Sequence, residues 1–194
     1  MMLRPTKRLL LGGAAGVVAF LVATVTLGGV IKSFETPDAT ASIERQIGGP
    51  FSMVDQNGRV VTEADFAEKP KAMFFGFTSC PDVCPTMLYQ MTVWLKELGP
   101  LADRISPIFV SVDPDRDTPS VIRDYLTAFD PRITGLTGTP RQLAAFARNH
   151  GIVYEKVPVD DGEYTVNHTA GILLFDADGA YRGTADYHDD PADA

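Results

Sequence analysis

Ala72–Phe77 (AMFFGF) and the residues that follow it, Thr78–Pro85 (TSCPDVCP), decide how this chain folds. The unbroken apolar run, bounded by Lys69-Pro70-Lys71 and a Thr-Ser-Cys loop, reads as a strand buried on both faces. From Pro85 onward, Met87, Leu88, Met91, Trp94, Leu95 and Leu98 recur on one helical face until Gly99-Pro100 stops the helix. A buried strand passing through a short loop into an amphipathic helix is a unit of an α/β domain. That loop carries both cysteines of the chain.

Working outward, Phe51–Thr62 (FSMVDQNGRVVT) sets an Asn57-Gly58 turn between two extended runs, a hairpin signal. Thr62 with Asp65 three residues on can cap a short helix through Ala67. Downstream, Ile105–Val112 (ISPIFVSV) reads as a second buried strand, with Pro107 near its start or at a bulge. Thr118-Pro119 opens a helix carrying Val121, Ile122, Tyr125, Leu126 and Phe129, closed by Asp130-Pro131. Thr139-Pro140 opens another with Leu143, Phe146 and Ala147, closed by Gly151; Thr at the cap, Pro at the first turn and Gly after the end is the expected asymmetry. Ile152–Val157 alternates as a strand, and Thr169–Phe175 with Ala180–Thr184 forms a hairpin around Asp178-Gly179. The order describes an α/β sandwich with a mixed sheet, without internal repeats.

The chain has 194 residues, 45% hydrophobic and 22% charged, a globular composition. Four cations and no acids precede residue 33, and the remainder carries 13 cations against 25 acids, a net of −12. Such an acidic domain lacks the basic face that nucleic-acid binding needs. Leu9–Ile31 is 23 residues without a charge, roughly 34 Å as a helix, enough to cross a bilayer core. Arg4, Lys7 and Arg8 before it keep residues 1–8 cytoplasmic by the positive-inside rule. The expectation is an anchor over 9–31, a linker over 32–47 and an exported domain over 48–194. A cleaved signal peptide is the alternative, though the run exceeds a usual h-region and no clear A-x-A site follows.

Two cysteines four residues apart read as a redox couple or a metal clamp rather than a disulfide scaffold. With Pro85 at the first helical position, Cys84 falls near the N-cap and Cys80 in the loop above. There the helix N-terminus is expected to lower a thiol pKa. The C-x-x-x-C spacing differs from the C-x-x-C of thioredoxin-type exchange; it suits two thiolates around a metal, and a disulfide fits as well. A third ligand would come from His150, His168 or His188. His150 lies on an apolar face in the last turn of its helix, where packing explains it and the dipole favours a cation. His188 sits in an acidic tail. His168 precedes the Ile172–Phe175 strand, a place that also suits an ordinary buried histidine. Two thiolates and an imidazole suit copper in either oxidation state, and zinc accepts the same set. Met87 and Met91 belong to the core stripe. Asp113, Asp115 and Asp117 read as loop capping before Thr118-Pro119, with a docking role or a place beside the ligands as the alternative; Asp82 shapes the cysteine loop.

Phe75–Pro85 (FGFTSCPDVCP), with Gly49–Gly58 (GPFSMVDQNG), Ser111–Thr118 (SVDPDRDT) and Val166–Thr169 (VNHT), resembles the Sco/SenC family over roughly Gly48 to Tyr187. The resemblance implies an α/β, thioredoxin-like fold with an N-terminal hairpin, preceded by one transmembrane helix. It implies a copper chaperone for the CuA centre of cytochrome c oxidase, holding Cu(I) or Cu(II) on Cys80, Cys84 and His168, with no catalytic residue. Asp82, Asp113 and Asn167 would stand beside those ligands. The implied partners are the oxidase subunit carrying the CuA site and a copper donor protein, met on the periplasmic side of a bacterial inner membrane. A thiol–disulfide oxidoreductase, using Cys80 and Cys84 to keep oxidase-subunit cysteines reduced, is the alternative. Asn167 replaces an Asp frequent in the family, and a family C-terminal helix is expected where this chain reads HDDPADA from His188.

Overall fold

A computed structural model describes residues 47–186. The expected anchor, nearly all of the linker and His188 lie outside the described residues. Among the described residues no helix is long and apolar enough to cross a membrane.

The described residues open with the foreseen hairpin, β1 (Ser52–Asp55) and β2 (Val60–Thr62), paired antiparallel. Asp55 makes its turn: the carboxylate accepts the Asn57 and Arg59 N–H groups at 2.9 Å each, and Gly58 takes a φ of 82°. Asp65 accepts the Thr62 N–H at 2.8 Å, starting a 3-10 turn over Glu63–Phe66. β3 (Lys71–Gly76) follows, then α1 (Val83–Glu97), β4 (Ser106–Ser111), α2 (Pro119–Leu126), β5 (Thr134–Thr137) and α3 (Pro140–His150). The chain continues through β6 (Tyr154–Pro158), β7 (Tyr164–His168), β8 (Ile172–Phe175) and β9 (Tyr181–Ala185).

Seven strands form one mixed sheet in the order β2-β1-β5-β4-β3-β8-β9. β3, β4 and β5 run parallel, while β1 and β8 flank them antiparallel. Parallel neighbours need crossovers, and α1 and α2 supply them. Phe74, Phe75, Phe109 and Leu136 from the central strands pack with Met87, Leu88, Met91, Ile122 and Phe146 from the helices. Pro107 sits second in β4, opposite Ala72, where a missing N–H at the strand's start is tolerated. Because β3 and β4 end side by side, both point their last residues at the same end of the sheet.

Three elements differ from expectation. β5 is not among the strands expected from the sequence; it is four residues long and contains Gly135. A Cβ there would overlap Ile122 and lie 2.8 Å from Leu126 Cδ1, so the glycine lets α2 pack down onto the sheet. α2 stops at Leu126 rather than running to Asp130. β6 and β7 pair only with each other, as a ribbon separate from the main sheet.

His150 is structural, as expected, but it is not held as a cation. Its ring stacks on Phe146 with centroids 4.0 Å apart, and Nδ1 lies 2.9 Å from the Phe146 carbonyl. Burial lowers its pKa, outweighing the hydrogen bond to the Phe146 carbonyl, which raises it. A depressed folded-state pKa means stability is complete above the unfolded value of about 6.5 and declines as pH falls below it. The Arg132 guanidinium holds Asp130 below the usual carboxylate range, so that loss falls at far lower pH. Urea unfolding between pH 7 and 5 should therefore show declining stability, and His150→Gln should flatten that slope.

Candidate metal centre

One carboxylate sets the cysteine loop. Asp117 is completely buried and accepts the Thr78 N–H at 3.0 Å, the Thr78 hydroxyl at 2.6 Å and the Ser111 hydroxyl at 2.6 Å. Ser111 ends β4, and Thr78 stands two residues past the end of β3. The loop therefore leaves the sheet in one direction, and the Cys80 N–H then donates to the Phe77 carbonyl at 3.2 Å.

The helix that follows starts two residues earlier than Pro85 at the first helical position implies. Asp82, not Cys84, is its N-cap; the Asp82 carbonyl accepts the Thr86 hydroxyl at 2.9 Å while its carboxylate lies exposed. Cys84 thus falls inside the first turn and points into the core, with no exposure. Its sulfur rests on Gly76, where a Cβ would come within 2.8 Å of Sγ. The expected lowering of this thiol's pKa is reversed: burial drives it far up. The free N–H of Cys84 is aimed instead at Cys80 Sγ, 3.4 Å away. Both thiols are free, and Cys80 is half-buried.

His168 arrives from the other side, at the end of β7. Its Nε2 lies 3.7 Å from Cys84 Sγ, and its Nδ1 lies 2.9 Å from the Thr169 carbonyl. Donation from Nδ1–H to that carbonyl leaves the Nε2 lone pair facing the sulfur. The ring stands edge-on to Phe77, at 90°, with centroids 5.9 Å apart. A thiolate and an imidazole sharing one tetrahedral ion at ordinary bond lengths would have sulfur and nitrogen roughly 3.6 Å apart. Cys84 and His168 already stand at that separation. Among the described residues no three His, Cys, Asp or Glu side chains yet converge on one point, because Cys80 is turned toward the Cys84 N–H.

The acidic loop divides by burial. Asp113 is buried and accepts the Tyr164 hydroxyl at 2.8 Å and the Arg116 Nε–H. Asp115 is exposed and pairs with Lys156 at 2.5 Å. Thr118 caps α2 as expected, taking the Val121 N–H at 3.4 Å. Asn167 pairs in register with Glu155 and is exposed, on the strand face opposite His168. Gly76, Tyr164 and Arg116 are not singled out from sequence as site residues, whereas Asp117 reads there as loop capping, with a docking role or a place beside the ligands as the alternative. An apolar pocket of about 440 Å3 lined by Met91, Trp94, Leu98, Leu174 and Phe175 lies at the opposite end of β3 and takes no part in this site.

A model of the SCO1/SenC family matches residues 39–194. The chain belongs to the SCO1/SenC family. It is 38% identical over 138 residues to a SCO2-like protein of Rickettsia felis, covering 70% of this chain and 67% of that one. It is 40% identical over 139 residues to mitochondrial SCO2 of Saccharomyces cerevisiae, covering 70% of this chain and 46% of that protein, so it spans about half of that relative. The copper-bound structure of Bradyrhizobium japonicum ScoI superposes with a TM-score of 0.72 at 44% identity, over 76% of this chain and 94% of that one. The mixed α/β domain is thus the thioredoxin-like fold of the Sco family.

In this Sco domain the Asp117 clamp should be a large part of stability. Asp117→Ala leaves the half-buried Thr78 and buried Ser111 donors without their acceptor, and bonds to a charged group are individually strong. Urea denaturation should show a loss of about 3 kcal/mol, and Asp117→Asn a smaller one.

Proposed function

We propose that this protein is a membrane-anchored copper chaperone that delivers copper to the CuA centre of cytochrome c oxidase, binding it through Cys80, Cys84 and His168. The observation that carries the reading is the 3.7 Å approach of His168 Nε2 to Cys84 Sγ, with Nδ1 committed to the Thr169 carbonyl. Cys80 stands one loop away and needs only to turn its side chain to complete a soft site. The copper bound by the 44% identical Bradyrhizobium protein supports copper over zinc.

Copper is cargo here, so the site has to release it. Cys84 is the dry inner ligand, whereas Cys80 and His168 are half-buried and Cys80 reaches solvent from the loop. Thiolate ligands of an incoming oxidase subunit or copper donor would therefore exchange at the Cys80 side, and no catalytic base is required. Burial raises the Cys84 pKa, so metal must displace a proton there, and apparent affinity rises with pH. Leu9–Ile31 would anchor the domain in a bacterial inner membrane, with residues 1–8 cytoplasmic, 32–47 a tether and the domain in the periplasm; the basic flank before the run supports this orientation.

The half-buried Cys80 beside the buried Cys84 also favours a second reading as a thiol–disulfide oxidoreductase. Cys80 would attack a partner disulfide, and Cys84 would then displace the mixed disulfide, leaving Cys80–Cys84 oxidised and two partner thiols reduced. Copper titration of the purified chain should give one equivalent, lost in Cys84→Ser and weakened in His168→Ala by at least about 10-fold. Unchanged stoichiometry and affinity in the Cys84→Ser, His168→Ala double variant would sink the copper reading. Thiol–disulfide exchange that persists in His168→Ala would assign that activity to the cysteines alone.

A further inference from the structure

The ribbon that carries His168 lies outside the main sheet, so something must fix its distance from the cysteines. β7 turns Tyr164, Val166 and His168 to one face, at alternate residues. Val166 is buried and His168 reaches Cys84. Tyr164, about 13 Å along the strand from His168, donates its hydroxyl to buried Asp113 at 2.8 Å. The Arg116 guanidinium lies 3.9 Å over the Tyr164 ring, donates to the Tyr164 carbonyl at 3.0 Å and pairs with Asp113. Lys156 Nζ, from β6, covers the same ring at 4.4 Å and pairs with Asp115.

All of these contacts land on the 113–117 loop, whose Asp117 holds Thr78 and hence the cysteine loop. The loop therefore grips both halves of the ligand set, the cysteines through Asp117 and the histidine ribbon through Asp113. We propose that Tyr164, through its hydroxyl on Asp113, is a positioning residue that sets His168 against Cys84. The proposal rests on the copper-site reading above. Tyr164 touches no ligand; it acts through the register of β7. The Tyr–Asp bond is partly shielded and ends on a buried carboxylate that also pairs with Arg116 and, at 3.8 Å, with Lys156, so it is directional and costly to break.

Tyr164→Phe removes the hydroxyl and keeps the ring between Arg116 and Lys156. In the full chain it should still bind one equivalent of Cu(I), about 10-fold more weakly than wild type. In the metal-free chain, hydrogen exchange should quicken at the amides of β7 and Thr169 while those of Thr78 and Cys80 stay unchanged. Added to His168→Ala, Tyr164→Phe should cause no further loss of copper affinity, because its effect passes through that imidazole. Affinity within twofold of wild type, or an equal loss in the His168→Ala background, would overturn the proposal. Should Tyr164→Phe not fold, Arg116→Lys, which keeps the charge but loses the planar fork, gives the same readouts. A wild-type chain that binds no copper would instead remove the functional reading. Exchange in the metal-free chain would then decide the bracket by itself: faster β7 amides support it and unchanged ones overturn it.

Discussion

A carboxylate with no exposure is expensive unless hydrogen-bond donors take the place of water. Asp117 meets that condition with one amide and two hydroxyls rather than with a directly bonded cation. The donors come from the ends of two adjacent parallel strands, so the bond network only closes when β3 and β4 are in register and Thr78 has turned upward. The path of the cysteine loop follows from that closure. Once Thr78 is held, the few residues before α1 have little freedom, and Cys84 is delivered into the first turn against Gly76.

That delivery makes the two cysteines chemically unequal. A helix N-terminus ordinarily favours a thiolate, but Cys84 loses more by leaving water than it gains from the dipole. Its N–H serves Cys80 instead. The result is an inner sulfur that stays protonated until a metal or an oxidant takes the proton's place, and an outer sulfur that meets solvent first. Either ligand exchange or thiol–disulfide exchange would start from the outer one.

The histidine has a different mechanical status. The cysteine loop is built on the central strands, whereas β6 and β7 form a ribbon of their own. A two-stranded ribbon is marginal without tertiary support. Here that support is one buried valine and a polar cluster around Tyr164, set on the same acidic loop that carries Asp117. The SVDPDRDT stretch thus divides its aspartates by burial: two face inward to hold the site's halves, and Asp115 stays outside with Lys156.

Much of this was legible in the chain because it is local. The β3 run, the Asn-Gly hairpin, the Thr-Pro helix starts and the Gly151 stop each depend on neighbours along the sequence, and hydrophobic period and cap chemistry report those directly. The cysteine pair and its place between strand and helix were legible for the same reason, and the resemblance of four short blocks pointed to His168. Tertiary structure decided the rest. β5 lies close under α2 because Gly135 leaves room for it, and the His150 pKa is lowered because Phe51, Phe75, Phe146 and Phe175 close around its ring. Cys84 is buried because Thr78 is tied to a carboxylate 39 residues away, and His168 meets it across 84 residues. No local pattern encodes those separations. They exist only when the sheet order brings distant strand ends to one edge, where desolvation and hydrogen-bond closure, rather than propensity, set what each side chain can do.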